Sequence, residues 1–201
     1  MIAQRRRGWN FALQRAVDWA VELGKPLVVL EALRVDYPWA SDRIHRFVLQ
    51  GMADNVAAFK KSGVLYYPYV EPQPGAGSGL LETLAGQAAL VVTDDYPCFF
   101  LPRMVRAVGR MLGVKLEQVD ANGILPLRAA EQVYSRAFDF RRFAQRVLPD
   151  HLIEFPAADP LADVKLKRAQ PLAKELTERW PPAAGELLAA DVEQLAALPI
   201  D

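Results

Sequence analysis

"LVVLEAL", residues 27–33, decides the fold. It is apolar on both faces and too short for a helix of its own, so it reads as a β-strand buried between two layers, as in a parallel sheet. Upstream, Leu13, Ala16, Val17, Ala20 and Val21 recur at helical spacing until Gly24 and Pro26 stop the segment. Downstream, Ser41 can cap a helix in which Ile44, Phe47, Val48, Met52, Val56 and Phe59 keep the 3.6-residue period as far as Gly63. The rhythm then repeats. "VLYYPYV", residues 64–70, is a strand, Leu80, Leu81 and Leu84 mark a short helix, and "ALVVTD" from Ala89 is the next strand. Pro102 opens a helix carrying Met104, Val105, Val108, Met111 and Leu112, and "VKLEQV", residues 114–119, is the fourth strand. Apolar strands alternating with amphipathic helices predict an α/β fold with a doubly wound parallel sheet, covered on both faces through right-handed crossovers. Such folds open with a central strand, yet only Met1, Ile2 and Ala3 precede the polar "QRRRG". The expectation is that Met1 is not the biological start and that the first strand is truncated.

The bulk numbers set outer bounds. A chain of 201 residues with 52% hydrophobic residues can bury a substantial core, and its length suits one domain plus part of another. Twenty-four basic residues balance 24 acidic ones, so no global field draws the chain to nucleic acid or to an anionic membrane. Cys98 is the only cysteine, which excludes an internal disulfide and suits a reducing, cytoplasmic setting. No run has the roughly 18–20 apolar residues of a membrane span. From about Glu131 the strand and helix rhythm stops: an arginine-rich helix, "YSRAFDFRRFAQRVL", leads into a stretch holding seven of the 15 prolines. Helical patches are expected near 164–178 and 184–197, within a connector that wraps one domain or leads to another. The division is therefore 1–130, a Rossmann-like α/β domain, and 131–201, a mostly helical and irregular linker.

In an open parallel sheet ligands sit beyond the carboxyl ends of strands, where "VVTDDYPCFF", residues 91–100, places Thr93, Asp94 and Asp95. Either carboxylate can instead cap amides or start the turn before Pro97, and as adjacent residues they point in different directions. Cys98, Phe99 and Phe100 read as packing, without the second cysteine of a redox pair. "GAGSG", residues 75–79, follows a strand and could cradle a phosphate, but it matches neither GxGxxG nor the P-loop pattern, and a flexible loop explains it as well. Arg103, Arg106 and Arg110 share one helical stripe and read as a solvated face, as do Arg136, Arg141, Arg142 and Arg146, with domain docking a further option for the latter. His45 and His151 have no metal-ligand spacing. Trp9, Trp19, Trp39 and Trp180 read as packing residues, although the first three could line a chromophore pocket.

Three blocks resemble the amino-terminal domain of DNA photolyases, most closely the class II type that acts on cyclobutane pyrimidine dimers. In "MIAQRRRGWNFAL", Arg6, Asn10, Phe11, Ala12 and Leu13 match; in "VVTDDYPCFFLPR", Asp94, Pro97 and Arg103 are in register; in "EQVDANGILPL", Val119, Asp120, Ala121, a buried Ile124 and Pro126 match. The likeness covers about residues 1–155, in order. Trp9 stands where the family has Asp, and Ala3 and Gln4 replace a charged pair. The resemblance implies a light-driven carbon–carbon lyase of DNA repair whose FAD, in a carboxy-terminal helical domain beyond residue 201, donates an electron to the dimer. It implies that this chain holds at most a light-harvesting antenna, a deazaflavin or folate, and is not itself catalytic. Its partners would be its own flavin domain and, through the full-length protein, damaged DNA, with no membrane and no metal. Arg6, Asn10, Asp94, Asp95 and Phe99 are the candidates for the antenna rim. The rival readings are a stand-alone nucleotide-binding module using "GAGSG" and an interaction domain without a ligand.

Overall fold

The computed structural model describes residues 1–60 and 62–200. Its elements run α1 (Phe11–Glu22), β1 (Val28–Leu33), α2 (Asp42–Phe59), β2 (Leu65–Val70), α3 (Leu80–Ala85), β3 (Leu90–Asp94), α4 (Leu101–Met111), β4 (Lys115–Val119), a 3₁₀ turn at Leu127–Ala129, α5 (Ala137–His151), α6 (Lys174–Arg179), α7 (Gly185–Leu188) and α8 (Val192–Ala196). The expected parallel α/β architecture holds, with the strands in two parallel pairs. β1 pairs with β2 from Val28↔Leu65 to Leu33↔Val70, and β3 pairs with β4 from Leu90↔Lys115 to Asp94↔Val119. β1 and β3 do not pair with each other. The first few residues lie at the junction instead: the Met1 ammonium donates to the Leu30 carbonyl at 2.8 Å, while the Ile2 amide donates to Asp94.

Helix α1 starts where Asn10 accepts the Leu13 amide at 3.1 Å, a side-chain cap that satisfies one of the free amides of the first turn. It then buries Ala12, Leu13, Val17 and Ala20 and packs over β3 and β4. Helix α2 packs on β1 and β2, where Leu49 and Met52 are completely buried against Leu33, Val35 and Val70. Burying such a side chain is worth about 1.5–3 kcal/mol, so this seam carries much of the stability.

The carboxy-terminal stretch both leaves the domain and returns to it. Helix α5 buries no residue. At residues 157–161 the chain comes back: Trp9 donates its amide to Ala157, Arg7 forms a two-pronged ion pair with Asp159 (3.0 and 2.5 Å), and Leu161 enters the core beside Leu13 and Phe59. Gly8 faces the Ala158 carbonyl so closely that an added Cβ would lie 2.6 Å from its oxygen. Of the expected helical patch at 164–178, only Lys174–Arg179 is helical. Val164 and Leu166 belong to a non-helical strap that packs half-buried on the core, and Pro171 interrupts the helical pattern. Trp180 is buried among Tyr67, Tyr69, Leu80 and Leu176, and Tyr67 donates to its carbonyl at 2.5 Å. Helices α7 and α8 close over α2 through Leu188, Ala190, Leu195 and Leu198.

Several burial expectations are corrected. Trp9 and Trp39 are 56% and 55% exposed, because each sits on a loop beside the sheet rather than on a packed face. Ile124, expected to be buried, is 54% exposed in the turn between β4 and the 3₁₀ helix. Cys98 and Phe99 are likewise exposed, on the turn after β3.

Candidate functional site

The carboxyl ends of β1 and β3 meet the first ten residues of the chain, and acidic side chains hold the junction. Asp94 Oδ2 accepts three successive amides, from Ile2 (2.7 Å), Ala3 (2.9 Å) and Gln4 (3.2 Å). Consecutive amides turned toward one point form an anion-binding nest, and here the anion is a side chain of the protein. Asp94 therefore caps amides, as one sequence reading holds, but amides some ninety residues away rather than those of its own turn. Asp95 points elsewhere and pairs with Arg128, whose Nε and Nη2 both reach the carboxylate. That contact ties the 3₁₀ turn to the end of β3. Asp120 shapes the turn after β4 by accepting from the Asn122 amide (3.0 Å) and the Leu127 amide (2.6 Å).

Beneath this rim lies a cluster that the motif analysis did not isolate. Glu31 is completely buried in β1. Its carboxylate accepts from Arg5 Nη1 (3.0 Å), Asn55 Nδ2 (2.9 Å) and the Tyr66 hydroxyl (2.6 Å), while Arg5 also donates to the carbonyls of Ile2 and Ala32. Burial, reinforced by the Glu31 charge, pushes the Tyr66 hydroxyl far above its ordinary pKa, so it stays a proton donor. A charge in an otherwise apolar strand must find partners to be tolerated, and the single Glu of "LVVLEAL" was the signal available in the sequence.

The open side of the rim is aromatic. Phe99 is 68% exposed, stacks on Tyr96 at 6.4 Å with ring planes 5° apart, and meets Trp39 edge-on at 5.3 Å. Tyr37 stacks on His45 nearby. Phe99 has φ +61°, a left-handed backbone that a residue with a bulky side chain adopts only when its surroundings impose it. Behind the ring opens a cavity of about 1580 Å³ whose lining includes Asn10, Trp39, Thr93, Asp94, Phe99 and Met104.

Of the five candidates, Asn10, Asp94 and Phe99 line this cavity and Arg6 and Asp95 do not. The Asn10 amide group donates to the Gln4 and Arg6 carbonyls as it caps α1. Arg6 donates to the carbonyls of Trp9 (3.0 Å) and Ala121 (3.2 Å). Four of the five thus spend polar atoms on protein partners, Arg6 from an exposed position, and Phe99 presents an exposed aromatic face.

The glycine loop "GAGSG" is held by other means than a phosphate. The Gly77 amide donates to Glu71 at 3.2 Å, Trp180 donates to the Ala76 carbonyl at 3.0 Å, and Gly79 lies against the Trp180 ring. A carboxylate at its centre would repel a phosphate. Arg103, Arg106 and Arg110 form an exposed stripe. Among the described residues there is no cluster of three or more His, Cys, Asp or Glu that could hold a metal ion, and no helix long and apolar enough to cross a membrane.

The fold and the rim define a parallel α/β domain of the Rossmann-like kind, with its usable edge at the carboxyl ends of the strands. Over 130 residues the chain is 32% identical to the deoxyribodipyrimidine photo-lyase of Methanothermobacter thermautotrophicus, an alignment covering 65% of this chain and 28% of that enzyme. The relationship is photolyase-like, and the chain spans under a third of its relative's length. No protein-family model matches the chain.

Proposed function

We propose that this chain is the amino-terminal, light-harvesting domain of a class II-like photolyase, and that the full-length enzyme splits cyclobutane pyrimidine dimers in DNA with a flavin held outside residues 1–201. The observation that carries the reading is the aromatic rim at the carboxyl ends of parallel strands, where Trp39 and Phe99 stand exposed beside a half-buried Tyr96 and Phe99 has a left-handed backbone. Such surfaces suit a flat ring system, because stacking needs exposed π-faces and little hydrogen bonding. A deazaflavin or folate would lie against Phe99. Asn10 and Asp94 would shape the wall behind it, while Arg6 and Asp95 would brace the adjoining loops. When bound, such a chromophore absorbs light and passes the excitation on; the residues here bind it, orient it and shield it from water. The chain alone is not catalytic in this reading.

Residues 131–155 supply a docking face for the flavin domain. Val133, Phe138, Phe140, Leu152, Ile153 and Phe155 are all exposed there, and α5 buries nothing against its own domain. Large apolar side chains left uncovered at both ends of one helix suit docking against a partner domain. The lone exposed Cys98 accords with a reducing cytoplasm.

The test is absorbance spectroscopy on the full-length gene product, together with dimer repair under blue light. A flavin band accompanied by a second chromophore is expected, and Phe99→Ala should lower the second chromophore's occupancy by tenfold or more while leaving the flavin and light-independent DNA binding intact. Full repair without any second chromophore would reject the antenna role. Absence of both flavin and repair would favour a ligand-free interaction domain.

A further inference from the structure

Of the asparagines in the chain, Asn10, Asn55 and Asn122, only Asn122 precedes a glycine. Asn10 and Asn55 are buried, whereas Asn122 is half-buried and Gly123 exposed in the irregular turn that follows β4. The pair matters chemically because glycine has no Cβ to shield its backbone nitrogen, and its freedom lets that nitrogen swing onto the preceding side chain. A Cβ built on Gly123 would meet no atom within 4 Å, so the space around it is open. Among the described residues the Gly123 amide donates to no protein acceptor, unlike its neighbours Asn122 and Leu127, so no hydrogen bond has to break before it reacts.

Asn122 also stands where separate segments meet. Its side-chain nitrogen donates to the Asp95 carbonyl (2.5 Å) and to Asp120 Oδ1 (2.8 Å), and its side-chain oxygen accepts from Gln4 Nε2 (2.9 Å). The Asn122 backbone amide donates to the same Asp120 carboxylate, which accepts the Leu127 amide on its other oxygen. One residue upstream, the Ala121 carbonyl accepts from Arg6. A single side-chain amide thus fastens the start of the chain, the end of β3 and the exit of β4 to one another.

These bonds hold the side chain without covering its reactive carbon. Hydrogen bonds to an amide lie near its plane, whereas a nucleophile approaches the carbonyl carbon from above or below that plane. The Gln4 donor at Oδ1 sits where negative charge develops when the carbon is attacked, which is the arrangement that stabilises an oxyanion.

We propose that Asn122 is a self-modification site whose conversion to an acid releases this junction. The Gly123 nitrogen gives its proton to water or hydroxide and bonds to Asn122 Cγ; the Cγ–Nδ2 bond breaks, and the nitrogen takes a proton from solvent and leaves as ammonia. Water then opens the cyclic imide at either carbonyl, which yields aspartate or isoaspartate at position 122 with no change of oxidation state. The Gln4 contact survives, since a carboxylate also accepts. The other contacts do not: an acceptor now faces the Asp95 carbonyl, and a like-charge pair with Asp120 replaces the hydrogen bond at 2.8 Å.

The experiment ages the full-length gene product in warm, mildly alkaline buffer. Its tryptic peptide 116–128 is followed by chromatography and mass spectrometry beside the same peptide made synthetically. Aspartate and isoaspartate should appear together, a pair that only the imide gives, at a rate within tenfold of the free peptide's. Gly123→Ala, for which the turn has room, should slow the conversion at least tenfold. The aged protein and Asn122→Asp should both exchange the Leu127 amide at least tenfold faster than fresh wild type. The proposal is overturned if the folded protein stays unconverted while the free peptide converts, if Gly123→Ala converts as fast as wild type, or if aspartate forms without isoaspartate. Unchanged Leu127 exchange in aged, converted protein would overturn the release of the junction, whether or not Asn122→Asp folds.

Discussion

The two strand pairs share one geometry and differ in what covers them. In β1 and β2, Val29, Leu33, Tyr67, Tyr69 and Val70 are buried, backed by Leu49, Met52 and Phe59 of α2 and by Trp180 from the returning strap. In β3 and β4 only Thr93 and Asp94 are buried, and β4 buries nothing. The second pair is held by polar ties: Asp94 to the chain start, Asp95 to Arg128, and Glu117 to Arg15 (2.6 Å) and the Trp19 indole (3.0 Å). Parallel pairing therefore sets the topology in both halves, while apolar burial is concentrated in the first.

That contrast can be attacked at its strongest point first. Glu31→Ala leaves Arg5, Asn55 and Tyr66 without their common acceptor, and stability measured by urea unfolding should fall by about 3–5 kcal/mol. Next, Leu49→Ala in the dense half should cost about 2–5 kcal/mol and Val108→Ala in the loose half less than about 1 kcal/mol. Equal losses would erase the distinction. Asp94→Asn should cost about 1–3 kcal/mol and speed exchange of the Ala3 and Gln4 amides, because the charge that gathers them is gone.

The smallest effect is confined to acid. Arg15 chiefly, with Lys115 and Trp19, holds the Glu117 carboxyl at a pKa of about 2. A carboxyl depressed in the folded state stabilises the fold above its ordinary pKa and loses that contribution as pH falls through the folded value. The wild type should therefore lose stability between about pH 4.5 and pH 2 more steeply than Glu117→Gln, as read by circular dichroism in acid titrations.

The elements were legible because apolar periodicity marks the face that turns inward, clearest in β1, β2, α1 and α2, and retained in β3, β4 and α4 although these bury little. Sequence reading placed all four strands to within a residue or two, from "LVVLEAL" to "VKLEQV". It missed the division into two pairs, since hydrophobic runs say which segments are strands and not which edges meet. It extended α6 back to residue 164, where Val164 and Leu166 are half-buried against the core from a non-helical strap. At the rim, Asp94 and Asp95 stood out by position, yet their partners Ile2 to Gln4 and Arg128 are distant in sequence and leave no local spacing to read. Phe99 reads as packing from its own surroundings in the sequence and joins the rim candidates through the family resemblance; its left-handed backbone has no sequence signature in a non-glycine residue.

The clasp between Arg7 and Asp159, with Gly8 seated under Ala158, joins the beginning of the chain to a point well past α5. A protease that cuts near Val133 or Phe138 would therefore liberate no fragment: the two pieces would co-elute, and the nick would be visible only on a denaturing gel.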